Sequence, residues 1–185
     1  MLQLLGAKGA PSEVVRLIQE AKRDVILLGY TFDLPLIQQA LIEAASRRVA
    51  VKVGLDYKTT RSSRPRDQQQ FAQQLQAHRI QVMLLKGGPL APEYQEVGRM
   101  VSGTGIQHAK TVLADEKLVV GSCNWTVSSR ANSEIGVEIR LSPSGERVVK
   151  DVMESRLAGG ERLEVALARP RRGRSVSRHE ETDND

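Results

Sequence analysis

The 185-residue sequence predicts an α/β protein, a mixed and largely parallel sheet flanked by helices. Two observations carry this. The first half alternates amphipathic helical segments with short apolar runs of strand length, the pattern of strands packed under helices. The second half closes with strand-length segments around a Gly-Ser-Cys-Asn-Trp run and a final helix. At 40% hydrophobic residues the chain has enough apolar material for one core, and its length fits one domain.

The elements follow in order. Ser12 is placed to cap a helix over Glu13 to Arg23, with Val14, Leu17, Ile18 and Ala21 near one face. Asp24 to Tyr30 is an apolar run of buried-strand length. Asp33 is placed to cap a second helix with Pro35 in its first turn and Ile37, Leu41 and Ala44 at helical spacing. Val49 to Leu55 alternates as a strand, and Asp67 to Ala77 reads as a Gln-rich helix. Between them runs a polar loop, Asp56 to Arg66, at the carboxyl end of a strand, where sites in such sheets gather. Ile80 to Leu85 is another strand. Lys86 to Gln107 has no periodicity and is expected to form a lip of the site. Ala109 to Ala114, Leu118 to Val120 and Glu134 to Leu141 read as strands, and Ser144 to Leu157 as the closing helix before Gly159 and Gly160. The domain is expected to span residues 1–168, with 169–185 a charged disordered tail.

Composition narrows the function. A net charge of +5 favours a polyanionic partner, either nucleic acid or an anionic lipid surface. Aromatics are only 3%, so base stacking on rings has little material. The lone Cys123 excludes an internal disulfide and suits a reducing compartment. No Cys/His spacing suggests a metal site, and no cofactor is expected. No stretch approaches the ~20 apolar residues of a membrane helix, and no secretory signal is legible, so a soluble, intracellular protein is expected.

Chemistry concentrates late in the chain. His108 and Lys110 are two apart, so on a strand they share a side. A neutral imidazole is a nucleophile and proton carrier, and a nearby ammonium suits phosphate oxygens. Asp115 follows, completing HxKxxxxD. Then come Gly121, Ser122 and Asn124, a close-approach glycine with two short donors for an oxyanion. Glu134, two residues after Asn132, is a carboxylate able to hold the second nitrogen of an imidazole.

This order of HxKxxxxD, GSxNW and N-x-E over Gln107 to Ile139 resembles the signature of the phospholipase D superfamily, and the helix–strand pattern upstream is similar as well. The resemblance implies a phospholipase D-like fold with one half-site per chain. It implies a metal-independent phosphodiesterase with His108 as nucleophile, Lys110 and Asn124 as phosphate ligands, Ser122 as phosphate support and Glu134 as the group orienting His108. Asp115 completes the motif, at the far end of its strand, where a structural role is expected. The chain departs from the family pattern in two places. Five residues separate Asp115 from Gly121 where six are common, a difference a tighter turn near Glu116 and Lys117 can absorb, and Thr111 replaces a large apolar residue. Lys58, Arg61 and Arg64 are candidate substrate contacts. Three functions stay open: a nuclease on DNA or RNA, a lipid hydrolase acting on cardiolipin or a phosphatidyl substrate, and a binding protein without turnover. The single motif implies a homodimer sharing one active site, since the chemistry needs two histidines and neither His78 nor His179 lies in a like motif.

Overall fold

The computed structural model describes residues 2–6, 9–62, 66–88 and 105–170. Arg64, His179, most of the expected lip and the tail beyond Pro170 lie outside the described residues. The described elements run β1 (Leu2–Gly6), α1 (Gly9–Glu20), β2 (Asp24–Gly29), α2 (Pro35–Ser46), β3 (Ala50–Asp56), α3 (Tyr57–Arg61), α4 (Arg66–Ala77), β4 (Gln81–Leu85), β5 (Thr111–Ala114), β6 (Lys117–Gly121), a 3-10 turn (Ser128–Ala131), β7 (Ile135–Arg140), α5 (Pro143–Ala158), β8 (Glu161–Arg162) and α6 (Leu163–Ala168).

The strands form one mixed sheet in the order β1-β7-β6-β5-β2-β3-β4-β8. Parallel pairing is confined to β2–β3 and β3–β4, where helices make the crossovers. The other pairings are antiparallel, and β5–β6 among them is a hairpin closed by the turn at Asp115 and Glu116. The parallel share is therefore smaller than the helix–strand alternation of the first half suggests.

One face of the sheet carries the main core, where Val25, Leu27, Val53, Leu55, Val112 and Val119 meet the inward residues of α1, α2, α4 and α6. The opposite face carries a smaller cluster, in which Ile26, Leu28, Leu113 and Leu85 are covered by Met153 and Leu157 of α5. Gly54 is required there: a Cβ would lie 2.7 Å from Leu28 and Leu85 and 2.9 Å from Leu157.

Several element ends differ from the sequence reading. Ser12 lies inside α1, which starts at Gly9. Asp33 does not cap α2; Leu34 occupies that position without a side-chain bond, and Asp33 instead accepts from the Val127 amide at 2.8 Å. Asp56 caps α3 by accepting from Thr59 N at 2.7 Å. Strands β1 and β8 and helix α6 carry no signal that the sequence reading used: β1 and β8 are short edges, and α6 is six residues long.

Candidate active site

The register brings one edge of the sheet together from six strands. β2 ends at Gly29, β3 at Asp56, β4 at Leu85 and β6 at Gly121, while the antiparallel strands β5 and β7 begin there, at Thr111 and Ile135. Tyr30, Asp56, Lys86, His108, Lys110, Ser122 and Glu134 are therefore all at this edge. Asp115 and His78 are at the other: Asp115 follows the last residue of β5, and His78 precedes β4.

His108 and Lys110 precede β5 in extended chain, and the ladder continues one residue beyond the strand, with Gly121 N donating to Lys110 O at 3.3 Å. His108 is exposed, while Lys110 is only 5% exposed. Lys110 Nζ lies 2.9 Å from His108 Nε2 and donates to His108 O at 2.8 Å. An ammonium only donates, so Nε2 carries its lone pair in this arrangement. Burial holds the Lys110 ammonium below the ordinary lysine range, and the charge of Glu134 partly restores it. Tyr30 closes one side, its ring centroid 4.9 Å from the His108 ring and 5.5 Å from Lys110 Nζ.

Half-buried Glu134 is held in place by its neighbours. It accepts from the Ser122 hydroxyl and, at 3.1 Å, from Asn132 Nδ2. Ser122 Oγ in turn accepts from Ile135 N at 3.2 Å. In this single chain Glu134 therefore meets Ser122 and Asn132 and reaches Lys110 through its charge, rather than bonding to His108. The Ser122 hydrogen is spent on Glu134, so Ser122 fixes that carboxylate. Asn124 Oδ1 is buried with no hydrogen-bond partner among the described residues; that oxygen only accepts, so an anion would be met by the Nδ2 donors of the same amide. Cys123 is buried, and burial together with Glu134 pushes its thiol up, which makes it unreactive.

The two-residue turn at Asp115 and Glu116 absorbs the short spacing before Gly121. Ala114 pairs with Lys117, Asp115 takes a φ of 51°, and the β5–β6 ladder runs unbroken to Thr111↔Val120. Asp115 accepts from the backbone amides of Lys22, Arg23 and Asp24 at 2.9, 3.0 and 3.1 Å. It ties the hairpin to the turn before β2, at the edge opposite His108.

Three groups at the site escaped the sequence reading as functional residues. Tyr30 is one. Asp56, buried at the end of β3, accepts from Gln107 N at 3.0 Å and so anchors the residue before His108. Lys86 sits 4.4 Å from the Tyr57 ring and lines a cavity of about 560 Å³ together with His108 and Arg156. The usable signal was position: each follows or ends an apolar strand run at its carboxyl end. Of the expected substrate contacts, Arg61 is engaged by Tyr57 Oη at 2.6 Å and Arg169 O at 2.6 Å, and Lys58 is exposed on the same short helix. A larger hollow of about 650 Å³ surrounds Lys22, Arg23 and Asp115 at the other edge, where Arg23 pairs with Asp115 and Glu116. Among the described residues no three His, Cys, Asp or Glu side chains converge as a cation site.

An exposed imidazole 2.9 Å from a buried ammonium is an arrangement suited to chemistry on an anionic ester. Comparison with known proteins agrees with that class. A family profile described as "Cardiolipin synthase, PLD-like domain" matches residues 14–155. The chain belongs to the phospholipase D superfamily. The fold is similar to that of Nuc from Salmonella typhimurium, a phospholipase D family member, with TM-score 0.71, 23% identity, and 88% of this chain and 97% of that chain covered. NucT from Helicobacter pylori aligns with TM-score 0.71 at 21% identity over 88% of this chain and 98% of its own. TrmBL2, an archaeal chromatin protein with a novel mode of DNA binding, aligns with TM-score 0.58 at 15% identity over 86% of this chain and 53% of its own. No curated protein sequence matches the chain.

Proposed function

We propose that the protein hydrolyses a phosphodiester without a metal ion, through a covalent phosphohistidine on His108, and that its substrate is DNA or RNA cut internally. The observation that carries the reading is the 2.9 Å approach of Lys110 Nζ to His108 Nε2. A phosphate oxygen bound by the remaining Lys110 N–H sits beside the attacking nitrogen. Asn124 supplies a second ligand to the phosphate, and Glu134, fixed by Ser122, keeps the local charge balanced.

In the first step Nε2 attacks phosphorus, a P–N bond forms and the P–O bond to the leaving group breaks. A second imidazole gives its proton to the leaving oxygen. Water then attacks phosphorus, passes a proton to that second imidazole, and the P–N bond breaks with its electron pair returning to His108. Of the other histidines, His78 lies at the opposite edge of the sheet and His179 lies outside the described residues, and the second imidazole is assigned to His108 of another copy. The active unit is thus a homodimer with one shared site.

Nucleic acid is favoured by the charge of +5 and by Lys86 and Arg156 on the walls of the cavity that holds His108, where neighbouring phosphates of a polyanion find counter-charges. A lipid phosphodiester is the second reading, supported by the apolar part of the same cavity, Val148, Val149 and Val152. Purified protein assayed side by side on single-stranded DNA, RNA and cardiolipin vesicles, with chelator present, separates them. Nucleic-acid cleavage that His108→Ala abolishes is the expected result. Cleavage restored only by a divalent ion would refute the mechanism.

A further inference from the structure

The edge of the sheet opposite His108 is built from three helix-to-strand turns. Helices α1, α2 and α4 each run down to this edge, and the chain re-enters the sheet as β2, β3 and β4. The register sets the turns side by side: Asp24 pairs with Ala50 and Lys52 with Gln81, and Ala50 N donates to Arg23 O at 3.0 Å. Each turn carries two basic residues in a row, Lys22–Arg23, Arg47–Arg48 and His78–Arg79, and all six are exposed. With neighbouring strands ~4.8 Å apart, the turns form a row roughly 10 Å wide. Arg23 is taken up by Glu146, Asp115 and Glu116. Arg47 donates from Nη2 to the carbonyls of Ile18 and Gln19 and keeps its charge. Among the described residues no carboxylate pairs with Lys22, Arg47, Arg48 or Arg79.

The backbone adds an independent observation. Helices α2 and α4 end alike: Arg48 N donates to Ala45 O and Val49 N to Ala44 O, while Arg79 N donates to Gln76 O and Ile80 N to Leu75 O. The residue that closes each helix is left-handed, Arg48 at φ 68° and Arg79 at φ 63°. This position favours glycine, because a Cβ crowds the following carbonyl there. The helix dipole accounts for a cation anywhere in the last turn. It does not account for arginine at the one residue of that turn where a side chain is strained. The same local rule is broken at matching positions of two adjacent turns, which is the mark of a place that uses those side chains.

We propose that this edge is a second polyanion-binding surface, on which Lys22, Arg47, Arg48 and Arg79 hold the phosphates of a nucleic-acid backbone away from the catalytic edge. The inference shares the nucleic-acid preference of the function proposed above but needs no turnover. Strand β3 crosses the sheet in seven residues, so the row lies ~20 Å from the edge that carries His108. A small phosphodiester at His108 does not reach it, whereas a long polyanion spans both. Fixed guanidinium groups in a row suit the repeating phosphates of a nucleic acid. A lipid surface is disfavoured, since the three turns expose no large apolar side chain to enter a bilayer.

Fluorescence anisotropy with a labelled DNA duplex of about 30 base pairs and an RNA strand of similar length tests this. The full chain is used in the His108→Ala background, so that no strand is cut. The pair Arg48→Gly and Arg79→Gly should weaken binding by roughly tenfold or more and lower the slope of log affinity against log salt by about 2. Its Tm should be unchanged or higher, because glycine suits both backbone positions. The pair Arg48→Lys and Arg79→Lys keeps the charges and should keep the slope. With His108 intact, turnover of bis(4-nitrophenyl) phosphate should be the same in the glycine pair as in wild type. If the glycine pair unfolds, Lys22→Ala decides, on a turn with no left-handed residue, through a slope loss of about 1. A chain that binds neither probe, or a glycine pair with the starting affinity and slope, overturns the assignment. So does a lysine pair as weak as the glycine pair, since charge is then not what is read. Binding to phosphatidylcholine–phosphatidylserine vesicles that the glycine pair loses, with nucleic-acid binding kept, also overturns it. A protein that binds the duplex as expected but cuts no nucleic acid refutes the function proposed above and leaves this surface standing.

Discussion

Asp115→Ala tests whether the last residue of the HxKxxxxD motif serves structure or chemistry. The carboxylate is 16% exposed and accepts three backbone amides, one on Oδ2 from Lys22 and two on Oδ1 from Arg23 and Asp24. Hydrogen bonds to a charged acceptor contribute about 1.5–3 kcal/mol each, less where water can replace them. The Lys22–Arg23 turn is partly open to water, so the loss is about 2–4 kcal/mol in total. Alanine also strains a turn position held at φ 51°. For a chain of this size a loss of about 3 kcal/mol lowers Tm by roughly 6–12 °C. Asp115→Asn keeps Oδ1 and tolerates the left-handed turn, so it should fall about halfway between. Burial pushes the Asp115 carboxyl up, but the three amides and Arg23 outweigh it, and its net position is below the ordinary carboxylate value. A carboxyl lowered by folding stabilises above its unfolded pKa of about 3.9 and loses that contribution as pH falls through the folded value. The gap in Tm between wild type and Asp115→Ala should therefore be constant above about pH 5 and shrink in acid. Thermal melts from pH 3 to 8 supply the stability data, and turnover well below each Tm should stay within about threefold of wild type. A variant that melts with wild type but loses activity by orders of magnitude would refute the structural assignment.

Other variants probe the opposite edge. His108→Ala should abolish turnover with an unchanged melt; activity at the wild-type level would displace the proposed nucleophile. Lys110→Met removes a buried cation whose charge is held below the lysine range, so it should cut turnover by roughly 100-fold or more while leaving Tm near neutral pH unchanged or higher; a large drop in Tm would contradict it. The sign follows from the lowered position of Lys110: charging it opposes folding below its folded pKa, and that cost fades as pH rises toward the unfolded lysine value of about 10.4. Asp56→Asn keeps the α3 cap acceptor but weakens the tether to Gln107 N, so kcat should fall more than KM rises, a split that a merely less stable fold would not produce. Gly121→Ala should destabilise the β6–β7 pairing, because its Cβ would lie 2.5 Å from Ile135 O and 2.7 Å from Gly136 Cα, as a urea melt would record.

The legible parts of this protein were those carried by period and by spacing. The strands β2, β3 and β4 were readable because each is an apolar run bounded by helical periods. His108, Lys110, Asn124 and Glu134 stand out as candidates because their chemistry is packed into a short stretch of chain. What stayed hidden has physical causes. Asp33 reads as a helix cap, yet the loop after β6 outcompetes the helix for its oxygen: Val127 N takes Oδ1, and Asp33 N and Leu34 N donate to Trp125 O. Tyr30, Asp56 and Lys86 carry no motif and become site residues only once the β2–β3–β4 register sets their strand ends beside His108.

The Trp125 loop shows how these distant pieces become one site. Trp125 is buried, its Nε1 donates to Leu28 O at 3.1 Å, and its backbone N donates to Thr31 O at 3.2 Å. Gln68 of α4 holds the same turn from the other side, accepting from Phe32 N at 2.9 Å and donating to Tyr30 O at 3.3 Å. Tyr30 is thus pinned between α4 and the loop that carries Asn124, and its ring stands against His108. Asp56 fixes the backbone before His108, and Gly121 fixes the backbone after Lys110. His108 and Lys110 are held at both ends by the sheet, while the imidazole itself is left exposed. Rigid backbone with an open side chain is what attack on an external phosphate requires, since misplacement of the reacting nitrogen by even ~1 Å costs on the order of 100-fold.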